Sequence, residues 1–245
     1  MQGVLPARYH RRMLFGSETL SPAALVGAHA TTLAGEPVHL LAGHALWWPA
    51  GATVFVADVH LGKAATFRAR GIPVPGGTTQ DNLARLTALL HGLPARRLVV
   101  LGDFLHAAEA HTPTLRAALA DWRDQHAAVD MVLVRGNHDS HAGDPPPGLG
   151  IAVVDEPWCA GPFACCHHPQ DHASHHVLAG HVHPATVLWG PGRDALRLPC
   201  FAVAPLLTLL PAFGSFTGAA TLPPQADRRL FAVGGGRVWP VPPGR

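Results

Sequence analysis

Val54-Phe55-Val56-Ala57-Asp58-Val59-His60 decides how this chain has to be read. A short run with strand character ends, without a polar spacer, on a carboxylate and an imidazole two residues apart. The arrangement recurs downstream. Residues 97–101 deliver Gly102-Asp103, residues 131–134 lead to Gly136-Asn137-His138-Asp139, residues 163–166 to His167-His168, and residues 177–179 to Gly180-His181-Val182-His183. Hard oxygen donors and imidazole nitrogens spread over several loops, rather than packed into one knot, are what a site for two divalent cations requires. A period-2 chain would turn Asp58 and His60 to one side as the strand ends, and His181 and His183 likewise.

The segments between the motifs alternate with these strands. Leu83, Leu86, Leu89 and Leu90 recur at helical spacing until Gly92 and Pro94 stop the helix, and Thr112-Pro113 opens another with Thr as N-cap and Pro at the first helical position. Strand, motif, helix, strand, motif places each candidate ligand at a carboxyl end of a sheet, where α/β proteins gather their ligands. Upstream, residues 38–41 and 45–48 flank Gly43-His44 as a hairpin. Beyond Pro145-Pro146-Pro147, residues 151–154, 186–189, 196–201, 206–210, 230–233 and 238–241 read as successive strands. The fold class expected is α/β (α+β), two sheets face to face with helices outside, in one domain over 1–245. Residues 1–30 form an N-terminal extension or cap, 54–183 the motif core, and 184–245 the strands that complete the second sheet.

A hydrophobic content of 48% against 14% charged residues is globular composition. The net charge of +2 neither implies nor excludes a nucleic acid partner. The first residues lack the apolar core of a signal peptide, and the most apolar stretch, 198–213, is broken by Pro199, Pro205 and Pro211, so no membrane association is expected. Cys159, Cys165, Cys166 and Cys200 show no paired spacing of the zinc or redox type. Reduced thiols in a cytoplasmic protein follow from that.

The ordered set Asp58-x-His60, Gly102-Asp103, Gly136-Asn137-His138, His167 and Gly180-His181-x-His183 resembles the calcineurin-like metallophosphoesterase superfamily. The resemblance implies a four-layer αββα sandwich of two mixed β-sheets flanked by helices. It further implies that Asp58, His60 and His183 bind one metal ion, that Asn137, His167 and His181 bind a second, and that Asp103 bridges both. His168 is the alternative to His167 as ligand. By the same resemblance His138 lies outside the metal shell, over the phosphate, and donates a proton to the leaving oxygen. The chemistry agrees: a carboxylate has two oxygens with which to bridge, and paired cations lower the pKa of water enough to supply a nucleophile at neutral pH. These donors suit Mn²⁺, Zn²⁺ or Fe.

A second resemblance rests on Asp58-Val59-His60-Leu61-Gly62-Lys63-Ala64-Ala65-Thr66-Phe67-Arg68-Ala69-Arg70-Gly71-Ile72-Pro73-Val74-Pro75, on Gly180-His181-Val182-His183-Pro184 and on Leu210-Pro211-Ala212-Phe213-Gly214. These are similar to the ligase-associated DNA-damage-response metallophosphoesterases, the PdeM-like proteins. That implies a manganese-dependent phosphodiesterase, an endonuclease of DNA repair working beside a DNA ligase, a helicase and an exonuclease. Lys63, the sole lysine, with Arg68 and Arg70 puts three cations just after the first motif, which suits a phosphodiester backbone. Lys63, Arg68, His106 and His168 are therefore candidate substrate contacts, His106 also as a residue that orients a ligand. Phe67 reads as a core aromatic or a base-stacking one, and His172, His175 and His176 as a solvated loop. The alternatives to a nuclease acting on DNA or RNA are a hydrolase of small or cyclic nucleotides and a non-catalytic binding module. A homo-oligomer is compatible with the sequence.

Overall fold

The computed structural model describes residues 22–69, 71, 77–108, 111–192, 194–215, 217–223 and 225–242. After a short helix α1 (Pro22–Leu25), strands β1 (His29–Leu33), β2 (Glu36–Leu41), β3 (Ala45–Trp48) and β4 (Thr53–Ala57) form an antiparallel meander. The chain then changes mode. Strands β5 (Arg97–Leu101), β6 (Asp130–Val134) and β7 (Ile151–Val154) add in parallel to β4, so all seven strands lie in sequence order. Helices α2 (Lys63–Ala69) and α3 (Thr78–Gly92), then α4 (Pro113–Gln125), then α5 (Asn137–Ala142) fill the crossovers. Parallel neighbours need such connections, whereas the antiparallel meander needs only turns.

Period-2 alternation separates the two faces of this sheet. Val54, Val56, Leu98, Val100 and Leu133 pack with Leu86, Leu119 and Trp122 of the helices. Their neighbours Phe55, Ala57, Val99, Leu101 and Val132 face the other way, onto Phe163, Phe201 and Phe231 of a second sheet. That sheet holds β8 (Trp158–Ala160), β9 (Phe163–Cys166), β10 (His176–Ala179), β11 (Pro184–Trp189), β12 (Ala195–Val203), β13 (Leu207–Leu209), β14 (Ala220–Thr221), β15 (Arg229–Gly234) and β16 (Arg237–Pro240). It is mixed: β9, β10 and β13 run parallel, while β12 is antiparallel to β11, β13 and β15. Strands buried on both faces, such as Thr53–Ala57 and Phe163–Cys166, show no polar alternation in sequence for this reason.

Thr112 caps α4 as its sequence requires, accepting a hydrogen bond from the Leu115 N–H at 3.1 Å. Among the described residues no helix is long and apolar enough to cross a membrane. Most of the expected N-terminal extension lies outside the described residues, as do Arg70 and residues 72–75; His29 and Ala30 already belong to β1.

Candidate metal centre

Strands β4, β5 and β6 of one sheet and β9 and β10 of the other all deliver their motif at a single rim. There the chain leaves the strands abruptly. Asp58, His60, Asp103, His181 and His183 adopt φ values of 54°, 49°, 48°, 66° and 49°. A non-glycine residue held in the left-handed region costs on the order of 1–3 kcal/mol and persists only where its surroundings over-determine it. Here the backbone is held on every side. Asp58 donates its N–H to the Gly102 carbonyl, His60 to the Asp103 carbonyl, and His181 to both oxygens of the Asp58 carboxylate at 3.0 and 3.1 Å. The paired side chains therefore share a side because the loops step through left-handed conformations, and not, as the sequence suggested, because a strand pleat continues through them.

Two groups of donor atoms result. In one, His60 Nε2 lies 3.5 Å from His183 Nε2 and 3.7 Å from Asp103 Oδ2, while His183 Nε2 is 3.6 Å from Asp58 Oδ2. In the other, His167 Nε2 lies 2.9 Å from Asn137 Oδ1, 3.1 Å from His181 Nδ1 and 3.5 Å from Asp103 Oδ1. The two oxygens of Asp103 thus face different groups.

The outward nitrogens fix which lone pairs point inward. His167 donates Nδ1–H to the Leu101 carbonyl and His183 donates Nδ1–H to the Gly218 carbonyl, since a carbonyl can only accept. His167 Nε2 is then an acceptor facing the acceptors Asn137 Oδ1 and Asp103 Oδ1. Lone pairs converging at about 3 Å repel unless a cation stands between them, so the residues present fit a divalent metal ion. The titration directions of two of the imidazoles agree. Burial pushes His167 down to about 4 and lowers His60 further still, which keeps both rings neutral, while burial raises the Asp103 carboxyl. Burial also opposes charge on His183, but its hydrogen bond to Asp58 and the charge of that carboxylate outweigh it.

His138 flanks the first group, with a ring nitrogen within 4.8 Å of donors on His60 and His106. Its backbone N–H donates to Asp103 Oδ1 at 2.9 Å, and its Nδ1–H donates to the His106 carbonyl at 2.7 Å. The ring stacks on His106 at 4.8 Å and meets His60 edge-on at 5.1 Å, with Nε2 left as the nitrogen not committed to the backbone. His106 Nδ1 sits 3.3 Å from His60 Nδ1, an orienting contact for that ring. Lys63 is half-buried; desolvation lowers its pKa, and the charges of Asp103 and Asp58 oppose that. Its ammonium lies 5.7 Å from the ring centre of Phe67, itself half-buried. Arg68 is exposed in the last turn of α2. His168, the alternative to His167, turns its Nδ1 to Glu156 Oε1 at 2.7 Å and leaves its side chain 43% exposed.

Glu156 and Arg85 carried no signal in the sequence, and the roles of Asp139 and the motif glycines emerge only in the fold. Glu156 accepts the N–H of His167 at 2.6 Å and of His168 at 2.9 Å, far from any motif. Asp139, fully buried, ties Leu105 N–H and Gly136 N–H together at 3.0 Å each, joining two ligand loops. The motif glycines have a steric reason: a Cβ on Gly180 would stand 2.7 Å from Asp58 Oδ2, and one on Gly102 would overlap the His167 ring. The Leu210–Gly214 stretch clasps the two sheets below the site, Leu210 N–H bonding the Ala179 carbonyl and Phe213 N–H that of Ala57. Arg85 holds it there, donating to the Phe213 carbonyl at 2.7 Å. A cavity of about 230 Å³ opens beside His183, lined by His44, Ala185, Arg197, Pro199 and Thr217 among others.

The family model for calcineurin-like phosphoesterases matches residues 52–197, a span that contains every candidate metal ligand above. The chain belongs to that family. It is a phosphoesterase dependent on divalent metal ions, and Asp58, His60, Asp103 and His167 lie in its candidate metal site. Among solved structures it is similar to the Pseudomonas putida nuclease MPE, at 48% identity over 87% of this chain and 100% of that one, with a TM-score of 0.78. No curated protein matches it.

Proposed function

We propose that this phosphoesterase is a dinuclear phosphodiesterase that cleaves nucleic acid backbones, DNA foremost, and that it belongs with the ligase-associated repair nucleases. The observation that carries this reading is Asp103, whose two oxygens face separate donor groups 3.5 and 3.7 Å away. Asp58, His60 and His183 would hold one cation, Asn137, His167 and His181 the other, and Asp103 would serve both. The donor set, free of thiolate, suits Mn²⁺, Zn²⁺ or Fe, and Mn²⁺ is put first because of the likeness to the ligase-associated nucleases. The similar Pseudomonas putida protein, 48% identical to this chain, is a nuclease, which supports a nucleic acid substrate.

Bound cations supply positive charge to the phosphate and an activated water. The protein's own groups do the rest. Asn137 and the imidazoles fix the cation positions. His138, anchored through Nδ1–H, acts in its doubly protonated form, giving the Nε2 proton to the leaving oxygen as the bond breaks and keeping the Nδ1 proton on the His106 carbonyl. Lys63 steadies a phosphate oxygen near Asp58 and Asp103, Arg68 meets the backbone farther out, and His106 keeps His60 in place. Period-2 alternation puts Ala185, Val187 and Trp189 on one face of β11, opposite Pro199, Arg197 and Ala195 of β12. A guanidinium followed by an indole that is 75% exposed suits an extended strand leaving the metal centre by that face.

The whole chain acts as one domain, in the cytoplasm, with a DNA ligase, a helicase and an exonuclease as functional partners. The experiment is a matrix of metals against single-stranded, duplex and plasmid DNA, RNA, and small diesters including cyclic nucleotides. Mn²⁺-dependent cleavage of polymers, abolished in Asp103→Ala, is the expected result. Turnover confined to small diesters would replace the reading with a small-nucleotide hydrolase, for which the cavity beside His183 is the natural seat.

A further inference from the structure

The loop between His167 and β10 carries imidazoles that the metal centre does not use. Cys159, on β8, is the exposed cysteine of the four, and it meets two of them. One donor atom each from Cys159, His172 and His175 lies within 4.8 Å of the others, and the two rings stand 4.8 Å apart at 89°. We propose that Cys159, His172 and His175 form a separate cation site, selective for zinc.

A thiolate with two imidazoles is a softer set than the oxygen-rich centre at Asp103, and softness is what separates zinc from manganese or magnesium. Three protein donors with one water complete a tetrahedron. With Zn–S near 2.3 Å and Zn–N near 2.0–2.1 Å, tetrahedral donors stand about 3.3–3.6 Å apart, so the cluster closes by up to about 1.5 Å on binding. Side-chain rotation in a surface loop covers that distance. The loop is already shaped for it: His172 Nδ1 accepts the N–H of Ser174 at 3.3 Å and of His175 at 3.2 Å, a turn that gathers both imidazoles. Those two contacts gather the rings before an ion arrives, and an ion that takes the His172 lone pair would replace them with a coordinate bond.

The consequence concerns His167. Its N–H is already fixed by Glu156, three residues before Cys159. An ion between Cys159 and the His172–His175 turn would fasten the far end of the same loop to the same edge of the second sheet. The loop that starts at His167 would then be clamped at both ends.

Cobalt reports this site without relying on activity, because Co²⁺ bound to thiolate absorbs in the near ultraviolet and the centre at Asp103 contains no sulfur. The remaining thiols are buried, with Cys166 and Cys200 pushed up to about 12 and Cys165 higher still. Titration of the metal-stripped full chain is expected to give the thiolate band in the native protein and in Asp103→Ala, and none in Cys159→Ser. His172→Ala and His175→Ala should each weaken the titration by more than the about tenfold that loss of an outer partner already causes. Zinc analysis should show one equivalent fewer in Cys159→Ser than in the native protein. No band at saturating cobalt, a band that survives Cys159→Ser with an unchanged circular dichroism spectrum, or a band that appears only with dimerisation would each overturn the proposal.

Discussion

Replacing Glu156 by alanine tests whether His167 is positioned from outside the metal centre. The carboxylate accepts three hydrogen bonds, from the N–H of His167 at 2.6 Å, the N–H of His168 at 2.9 Å and Nδ1 of His168 at 2.7 Å. Desolvation alone would raise its pKa, but these bonds outweigh it and hold the group ionised. Hydrogen bonds to a charged acceptor are worth about 1.5–3 kcal/mol each. The His168 side chain is 43% exposed and water replaces much of its bond, so the two backbone bonds carry most of the effect. Discounted for the 24% of the Glu156 side chain that water reaches, their loss amounts to about 2–5 kcal/mol. Part of this appears as stability. The part that frees His167 should weaken one cation by about 10- to 100-fold, the range typical of outer partners of metal ligands. Calorimetric Mn²⁺ titration should then show one weakened site beside one of native affinity, with Glu156→Gln in between because its amide oxygen still accepts from the backbone. Equal weakening of both sites, or native affinity at both, would refute the reasoning.

His138→Ala should retain both metal equivalents, because the backbone N–H that holds Asp103 survives, and lose about 10²- to 10⁴-fold in kcat. Metal analysis beside steady-state rates checks this, and loss of metal would make His138 a ligand instead. Gly180→Ala should fold yet bind metal poorly, since its Cβ would sit 2.7 Å from Asp58 Oδ2 and 2.9 Å from the Leu101 carbonyl. Native metal content in that variant would show that the rim can yield. His44 and His176 are held below the ordinary histidine pKa by burial, against the opposing pull of their bonds to the Ala212 and Pro205 carbonyls. A folded pKa below the unfolded value means stability that is complete above about pH 6.5 and is lost as pH falls towards the lowered folded value. Melting of the metal-free protein should therefore drop between pH 7 and pH 5, and a flat profile would contradict the assignment.

Most of the element plan was legible because apolar periodicity and turn chemistry are local. Arg97–Leu101, Ile151–Val154 and Phe163–Cys166 form over the residues their pattern marked, and Thr112-Pro113 opens α4. The misses have local reasons too. β1 was passed over because His29-Ala30-Thr31-Thr32-Leu33 has one fully buried residue and little apolar character, and Trp158–Ala160 is only three residues long. Lys63–Ala69 and Asn137–Ala142 are helices of seven and six residues, too short to show a period.

The sequence by itself determined the chemistry: which donor types the chain holds, in what order, and that each follows a strand, so that any sheet joining those strands in parallel must bring the donors to one rim. It could not determine how close they come. Asp58 and His181 are 123 positions apart, and what joins them is a backbone N–H reaching a carboxylate at 3.0 Å across two sheets. The left-handed steps at five candidate ligands, the glycines that leave room for them and the grip of Glu156 on His167 exist only after the sheets have packed. Local preference opposes those conformations, and only the surrounding hydrogen bonds and burial make them the lower state.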